Sequence, residues 1–394
     1  MRPAEVIDLG ESWRLIQQTC GRYAQTKLAL PVVHRLCGLL DICGMDQRPS
    51  LMLPGFDTLR LLGAVSVLLS HAYLIAQNSE GSEPLQLLLG GEKNIAGLYG
   101  VFTFFIISGF LLARSLERNP NVIRFVLNRF LRLVPGFAIC MLITAVVLGP
   151  LCTSLAISEY FSDPAWLRYI THGLKTLGDS PLPGLFQYTG SVSQVVNGSL
   201  WSLQAEVLSY GLLLALWLLL PSPGLVALLL GGAGLSMLLS PSLSGWLPGI
   251  CYPLPYFAAG VVMWWLTAHL GISRPLAHLC GAAVVAGALL GFPHQAFACF
   301  GAYLVVYLGC QPSPIGGWIT RTGDLSYGLY LFGWPVQQLL RQSLDLRDPL
   351  LMFALSTACT AVLAWVLFHA VEKPAMALRQ PLSAWLAQRQ PSRI

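Results

Sequence analysis

The stretch Thr58-Leu59-Arg60-Leu61-Leu62-Gly63-Ala64-Val65-Ser66-Val67-Leu68-Leu69-Ser70-His71-Ala72-Tyr73-Leu74-Ile75-Ala76-Gln77-Asn78 decides how the chain is read. As a helix rising about 1.5 Å per residue it spans the roughly 30 Å hydrocarbon core of a bilayer, and it lacks the alternation a membrane strand requires. Two ionisable side chains lie inside it. Arg60 and His71 are eleven positions apart, about 1100° of helical rotation, so they point within about 20° of one another, about 16 Å apart along the axis. That spacing predicts Arg60 at the inner boundary and His71 near the middle of the apolar core, where an ionisable group is read first as functional.

The rest of the chain repeats the pattern. Of its 394 residues 55% are hydrophobic and 10% charged, against roughly a quarter charged in soluble domains, which predicts an all-α integral membrane protein. Ten apolar segments approach spanning length: 58–78, 97–116, 133–152, 200–220, 224–240, 247–267, 276–292, 294–310, 326–341 and 350–371. The pair 276–292 and 294–310, parted by Phe292-Pro293-His294, must be two spans joined by a tight turn for the topology to close. With the N-terminus inside, eighteen of the 23 Lys and Arg residues fall on the inner side, and only Lys93, Arg168, Lys175, Arg341 and Arg347 fall outside. Because basic residues concentrate on the cytoplasmic side, this bias predicts N-in, C-in orientation and explains the net charge of +5 without nucleic acid.

Residues 1–54 are expected to form a cytoplasmic arm, 55–380 the transmembrane domain and 381–394 a cytoplasmic tail. Within the arm, Trp13, Ile16, Cys20 and Tyr23, and likewise Val33, Leu36 and Leu40, recur at helical spacing. Amphipathic helices on the inner leaflet and a mobile arm both fit that pattern, and the stretch is not expected to act as a secretory signal peptide. Most of the ten cysteines sit in apolar runs without CxxC spacing, so they read as small hydrophobes and no metal is expected. Cys152 and Cys251 both approach the outer face, which leaves one disulfide open. The longest outer segment, 153–199, is expected to cover or line a site, with a simple connector as the alternative.

Three features carry candidate chemistry. His71, as a buried neutral imidazole, can take a proton from a hydroxyl nucleophile, or can hydrogen-bond a neighbouring helix. Glu206 is the only acidic residue deep in a central span, and a carboxylate there needs a partner: it orients His71, binds a substrate hydroxyl or forms a structural pair. Arg124, Arg129 and Arg132 crowd the inner loop before the third span, with Arg129 and Arg132 on one helical face. Together with Arg60 they would make a cationic mouth for an anionic cytosolic substrate, although topology alone also places arginines inside.

The ordered motifs resemble the acyltransferase-3 family of membrane proteins. Phe56-Asp57-Thr58-Leu59-Arg60, ten residues and then His71 are similar to its Arg-x10-His signature, and Gly100-Val101-Phe102-Thr103-Phe104-Phe105-Ile106-Ile107-Ser108-Gly109-Phe110 to its second-span pattern. Arg129-Phe130-Leu131-Arg132 resembles the inner RxxR element, and Asn197-Gly198-Ser199-Leu200-Trp201-Ser202-Leu203 with Glu206 the NGxLWxLxxE element. Asp324-Leu325-Ser326-Tyr327-Gly328-Leu329-Tyr330-Leu331 and Glu372-Lys373-Pro374 complete the set. One departure is Gly333, where many relatives carry histidine two residues before proline. Any role for that position is then absent or borrowed from Tyr327 or Tyr330.

What the resemblance implies is an acyltransferase moving an acyl group, with acetyl expected, from acyl-CoA as cytosolic co-substrate to a hydroxyl of a cell-surface or periplasmic glycan or lipid-linked saccharide. The expected setting is the bacterial cytoplasmic membrane, with the bilayer and the two substrates as partners and no bound cofactor. His71 and Glu206 are the expected catalytic pair, with a transient acyl-histidine as the competing mechanism. Asp57, Arg60, Arg129 and Arg132 are expected at the donor, and Asn197, Trp201, Tyr327 and Tyr330 at the acceptor. Ser108 lines the site, and it, Asn197, Tyr327 and Tyr330 have helix packing as the alternative. A transporter or flippase using His71 and Glu206 as a proton relay is the competing class, but the chain shows no paired interrupted helices in corresponding halves.

Overall fold

The computed structural model describes residues 53–78, 82–91, 93–187, 192, 194–240 and 249–382. Residues 1–52 of the expected arm, with its interfacial helices, and residues 383–394 of the expected tail lie outside the described residues. Apart from 270–273, the described residues form one body.

That body is all-helical among the described residues. The long helices are α1 Pro54–Gln77, α2 Ala96–Arg118, α3 Val122–Ile143, α4 Trp201–Leu219, α5 Pro223–Leu239, α6 Leu254–Leu270, α7 Arg274–Leu289, α8 Ala302–Gly309, α9 Ser326–Leu344 and α10 Pro349–Leu367. Three of them run through a wider π turn into or out of a further helical turn: α3 through Thr144–Leu148, α8 from Phe297–Gly301 and α10 through Phe368–Glu372. Five helical runs, Pro54–Gln77, Ala96–Arg118, Val122–Cys152, Trp201–Leu219 and Pro349–Leu382, are long and apolar enough to cross a bilayer, while α5, α6 and α7 are apolar but shorter. The chain is therefore an all-α, multi-pass membrane protein.

Local sequence explains the boundaries. Pro54 starts α1, where its missing N–H costs nothing, and Asn78 ends it in the left-handed conformation at φ 59°. α3 begins at Val122, eleven residues before the predicted span, because the Asn121 side chain accepts the Arg124 amide at 2.9 Å and caps it. Arg129 and Arg132 consequently stand on a helix and not in a loop. Between α7 and the helical run that starts at Pro293, the chain turns at Leu290-Gly291-Phe292, with Gly291 at φ +85°.

α1 is the hub, packing against α2, α8, α9, α10 and the short helix Pro314–Thr322. α2 crosses α6 at two glycines: a Cβ on Gly109 would fall on the Phe257 carbonyl, and one on Gly260 would fall on the Ile106 carbonyl. In a bilayer such close approach substitutes for the missing hydrophobic drive between helices. Gly260→Leu is expected to force the two backbones apart and cost at least the ~1–3 kcal/mol of core overpacking. Gly281→Leu, which meets no atom within 4 Å, should leave thermal stability in detergent nearly unchanged.

The segment 153–199 has secondary structure of its own among the described residues. It forms the helices Ile157–Ser162 and Ala165–Thr176, then an irregular stretch that lies along α9. Irregular backbone that is buried must find its hydrogen-bond partners within the protein, and α9 supplies the donors. Gln338 gives its side-chain N–H groups to the carbonyls of Val192 (3.1 Å) and Val195 (2.8 Å), Trp334 Nε1 also reaches Val195 (3.2 Å), and the Tyr330 hydroxyl reaches Ser199 (2.8 Å). Pro335, lacking an N–H, leaves the Leu331 carbonyl unclaimed within its own helix. Asn197 Nδ2 donates to that carbonyl at 2.9 Å.

Candidate active site

α1, α2, α3, α4 and α9 line a half-open cavity. α1 contributes Arg60, α2 contributes Val101, Phe104, Phe105 and Ser108, and α3 contributes Arg129, Arg132 and Leu133. Ser202, Leu203, Glu206 and Tyr210 come from α4, and Ser326, Tyr327 and Tyr330 from α9. The lining combines aromatic and aliphatic side chains with three guanidinium groups, one carboxylate and several hydroxyls, which is the composition of a site for a ligand with an anionic and an apolar part.

The three arginines are not equivalent. Arg132 bridges Asp324 at 2.8 Å and Glu372 at 3.0 Å, and lies 5.8 Å from the centre of the Tyr327 ring. Asp324 also accepts the Ser326 amide (3.0 Å) and hydroxyl (2.6 Å) at the start of α9. The π turn Phe368–Glu372 carries Glu372, which is 2% exposed. Arg132 therefore ties α3 to α9 and α10, with its charge already balanced. Arg60 has Asp57 at 3.4 Å, one helical turn away. Arg129 makes no ion pair among the described residues, and its Nε is buried without a hydrogen-bond partner. Of the three, Arg129 has the most unused donor capacity.

Glu206 accepts a hydrogen bond from the Tyr210 hydroxyl, one turn along α4. It lines the same cavity as Arg129, Arg132 and Arg60, whose charges act on it, so the structure brings Glu206 together with the arginines. His71 is elsewhere. It lies in the C-terminal third of α1 and is level with the start of α2, since neighbouring Ser70 accepts the Gly97 amide at 2.6 Å. Its ring meets Trp334 edge-on at 4.8 Å between centroids, and its Nδ1 is buried without a partner. Trp334 stands about one helical turn beyond the cavity-lining Tyr330, so His71 sits one layer past the cavity and not on its wall.

The remaining expected site residues divide by contact. Tyr327 donates to the Leu133 carbonyl at 2.7 Å, and Tyr330 is held by the Ser199 carbonyl and the Ser202 hydroxyl. Both line the cavity while their hydroxyls serve helix packing. Asn197 is fully buried and committed to Leu331 and to the Ser199 amide. Trp201 opens α4, half-buried and outside the cavity lining. A Cβ on Gly333 would meet Leu68 Cδ1 at 2.9 Å, so a larger side chain there requires the Leu68 side chain to shift. Ser108 lines the cavity beside Tyr210. Sequence reasoning missed Tyr210, Asp324 and Glu372 as partners. The i,i+4 spacing of Tyr210 from Glu206 was the available signal for the first, and the need of Arg132 for buried counter-charge the signal for the others.

Comparison with known proteins identifies the family of the chain. The family described as an acyltransferase domain, the acyltransferase-3 group, matches residues 53–369. An O-acetyl transferase of Shigella phage Sf6 is 26% identical over 324 residues, covering 79% of this chain and 93% of that protein. Nodulation protein 10 of Rhizobium leguminosarum bv. viciae is 24% identical over 375 residues, covering 84% and 95% respectively. No solved structure matches. With the match extending from the start of α1 to the π turn after α10, the chain belongs to the acyltransferase-3 family and is an acyltransferase of groups other than aminoacyl groups.

Proposed function

We propose that the protein transfers an acetyl group from cytosolic acetyl-CoA to a hydroxyl of an extracytoplasmic glycan or lipid-linked saccharide, from the cytoplasmic membrane of a bacterium. The observation that carries this reading is the cavity. Arg129 and Arg60 offer donors to the phosphates of CoA, and the Val101, Phe104 and Phe105 wall suits the pantetheine arm. All ten long helices cross the bilayer in this reading, with both termini inside, so Arg60 and Arg129 open toward the cytoplasm and His71 toward the outer side.

The chemistry then balances simply. His71 accepts the proton of the acceptor hydroxyl as its oxygen attacks the thioester carbonyl; the C–S bond breaks and CoA leaves as the thiol once the proton is returned. Glu206 orients the donor end through Arg129 and Tyr210. Because His71 lies one layer beyond the cavity, the thioester must pass Tyr330 and Ser202 to reach it. Purified protein supplied with labelled acetyl-CoA and a surface glycan preparation is expected to give labelled glycan sensitive to mild base. Neither hydrolysis nor transfer, together with His71-dependent substrate flux in vesicles, would instead assign the chain to transport.

A further inference from the structure

The irregular segment 194–200 is held from two sides. On its carbonyl side the donors come from α9, as described above. On its amide side stands Asp179, from the turn after helix Ala165–Thr176. Asp179 Oδ2 accepts the Val196 amide at 2.9 Å across a sequence gap of 17 residues, and the Asn197 and Ser180 amides also face the carboxylate. Val196 and Asn197 are essentially fully buried, so these amides have no access to water, and an unpaired buried amide costs about 1–3 kcal/mol. Immediately after the segment come the first two turns of α4, which place Ser202, Leu203 and Glu206 on the cavity wall.

We propose that Asp179 is a positioning residue for acyl transfer: by accepting the Val196 N–H it fixes segment 194–200 and, through it, the placement of Ser202, Leu203 and Glu206 in the cavity. The inference rests on the acyl-transfer reading for its activity readout and on geometry alone for its structural one. Asp179 touches neither the cavity nor His71, so its effect is exerted through the backbone of 196–197.

The surroundings of Asp179 make the contact pH-sensitive. Burial pushes its carboxyl up to about 6, against the opposing pull of the Asn197, Val196 and Ser180 amides. No charged side chain of the described residues contributes to its titration. The titratable group facing it is Tyr169, whose hydroxyl burial raises well above the usual phenol range, with Tyr160 and Cys140 behind. A carboxyl whose folded value is raised favours the closed arrangement in acid: the stabilisation is complete below about 4 and is lost as pH rises through about 6. Opening of the segment is therefore expected to become about tenfold easier from pH 5 to pH 7 and to change little above that.

Hydrogen exchange over 194–203, corrected for intrinsic rates, tests this in the full-length protein in nanodiscs, alongside turnover of labelled acetyl-CoA. Asp179→Ala is expected to lose protection in this segment and at least tenfold in turnover. Asp179→Asn, which keeps an acceptor for Val196, should restore turnover to within about threefold and abolish the pH dependence of protection. Wild-type protection in the alanine variant, equal damage from asparagine and alanine, or an unchanged pH dependence in the asparagine variant would each overturn the proposal. If the alanine variant does not fold, the asparagine variant and the pH series decide. Absence of any acetyl-CoA turnover in the wild type would count against the enzyme reading and leave the exchange measurement to judge Asp179.

Discussion

Arg129→Ala is expected to weaken acetyl-CoA binding by roughly 10–100-fold while leaving the folded protein as stable as the wild type, and Arg132→Ala is expected to do the reverse. The two side chains are three residues apart on one helix and line one cavity, so sequence spacing gives them the same role. Their partners separate them. Arg129 has a buried, unpartnered Nε and no ion pair among the described residues. Removing it takes away no native ion pair and relieves a half-buried cation, whereas a charge-assisted hydrogen bond to a bound phosphate, about 1.5–3 kcal/mol, disappears with it. Arg132 holds Asp324 and the 2%-exposed Glu372 together, and its removal leaves two carboxylates facing each other at the α3, α9 and α10 junction. Breaking a buried pair from one side costs on the order of 3–5 kcal/mol. Thermal unfolding in detergent and donor binding measured on the same preparations check both halves. A stable Arg132→Ala that fails to bind donor would return Arg132 to the ligand side.

Several features of this architecture were legible in the sequence because they are one-dimensional. Apolar runs mark helices in lipid, a tight turn after α7 follows from two such runs too close for a loop, although it falls at Leu290-Gly291-Phe292 and not at the expected Phe292-Pro293-His294, and the shared face of Arg60 and His71 follows from helical phase. What sequence did not reveal is set by contacts between distant segments. The closeness of Glu206 to Arg129, instead of to His71, depends on the segment before α4 lying along α9. That path depends in turn on Pro335 freeing one carbonyl and on Gln338 and Trp334 donating to others. Asn197 illustrates the limit. Its motif predicts an acceptor contact with packing as the alternative, and the packing contacts account for its side chain. The start of α3 at Val122 was misplaced because the arginines of its first turns lower local hydropathy, although Asn121 caps it and the helix continues through them.

His71→Ala should lower acetyl transfer by on the order of 10²–10⁴-fold, the contribution of a positioned general base, with donor affinity changed less than twofold. The separation follows from place: His71 lies beyond Trp334 and outside the cavity lining, whereas Arg60 and Arg129 are on it. Glu206→Gln is the informative companion. If Glu206 oriented His71, both substitutions would act on one chemical step and their combined effect would fall far short of additive. In the observed arrangement Glu206 lies with Tyr210 and the arginines, so Glu206→Gln should chiefly raise the donor KM. Its effect should then add to that of His71→Ala in free-energy terms to within about 0.5 kcal/mol. Steady-state kinetics on the two single variants and the double variant measure this directly, with donor concentration varied at saturating acceptor. A coupling larger than about 1 kcal/mol would mean that the segment before α4 moves during turnover and carries Glu206 toward His71. The same result would make Asp179, which anchors that segment at Val196, a control point of the motion as well as of the resting geometry.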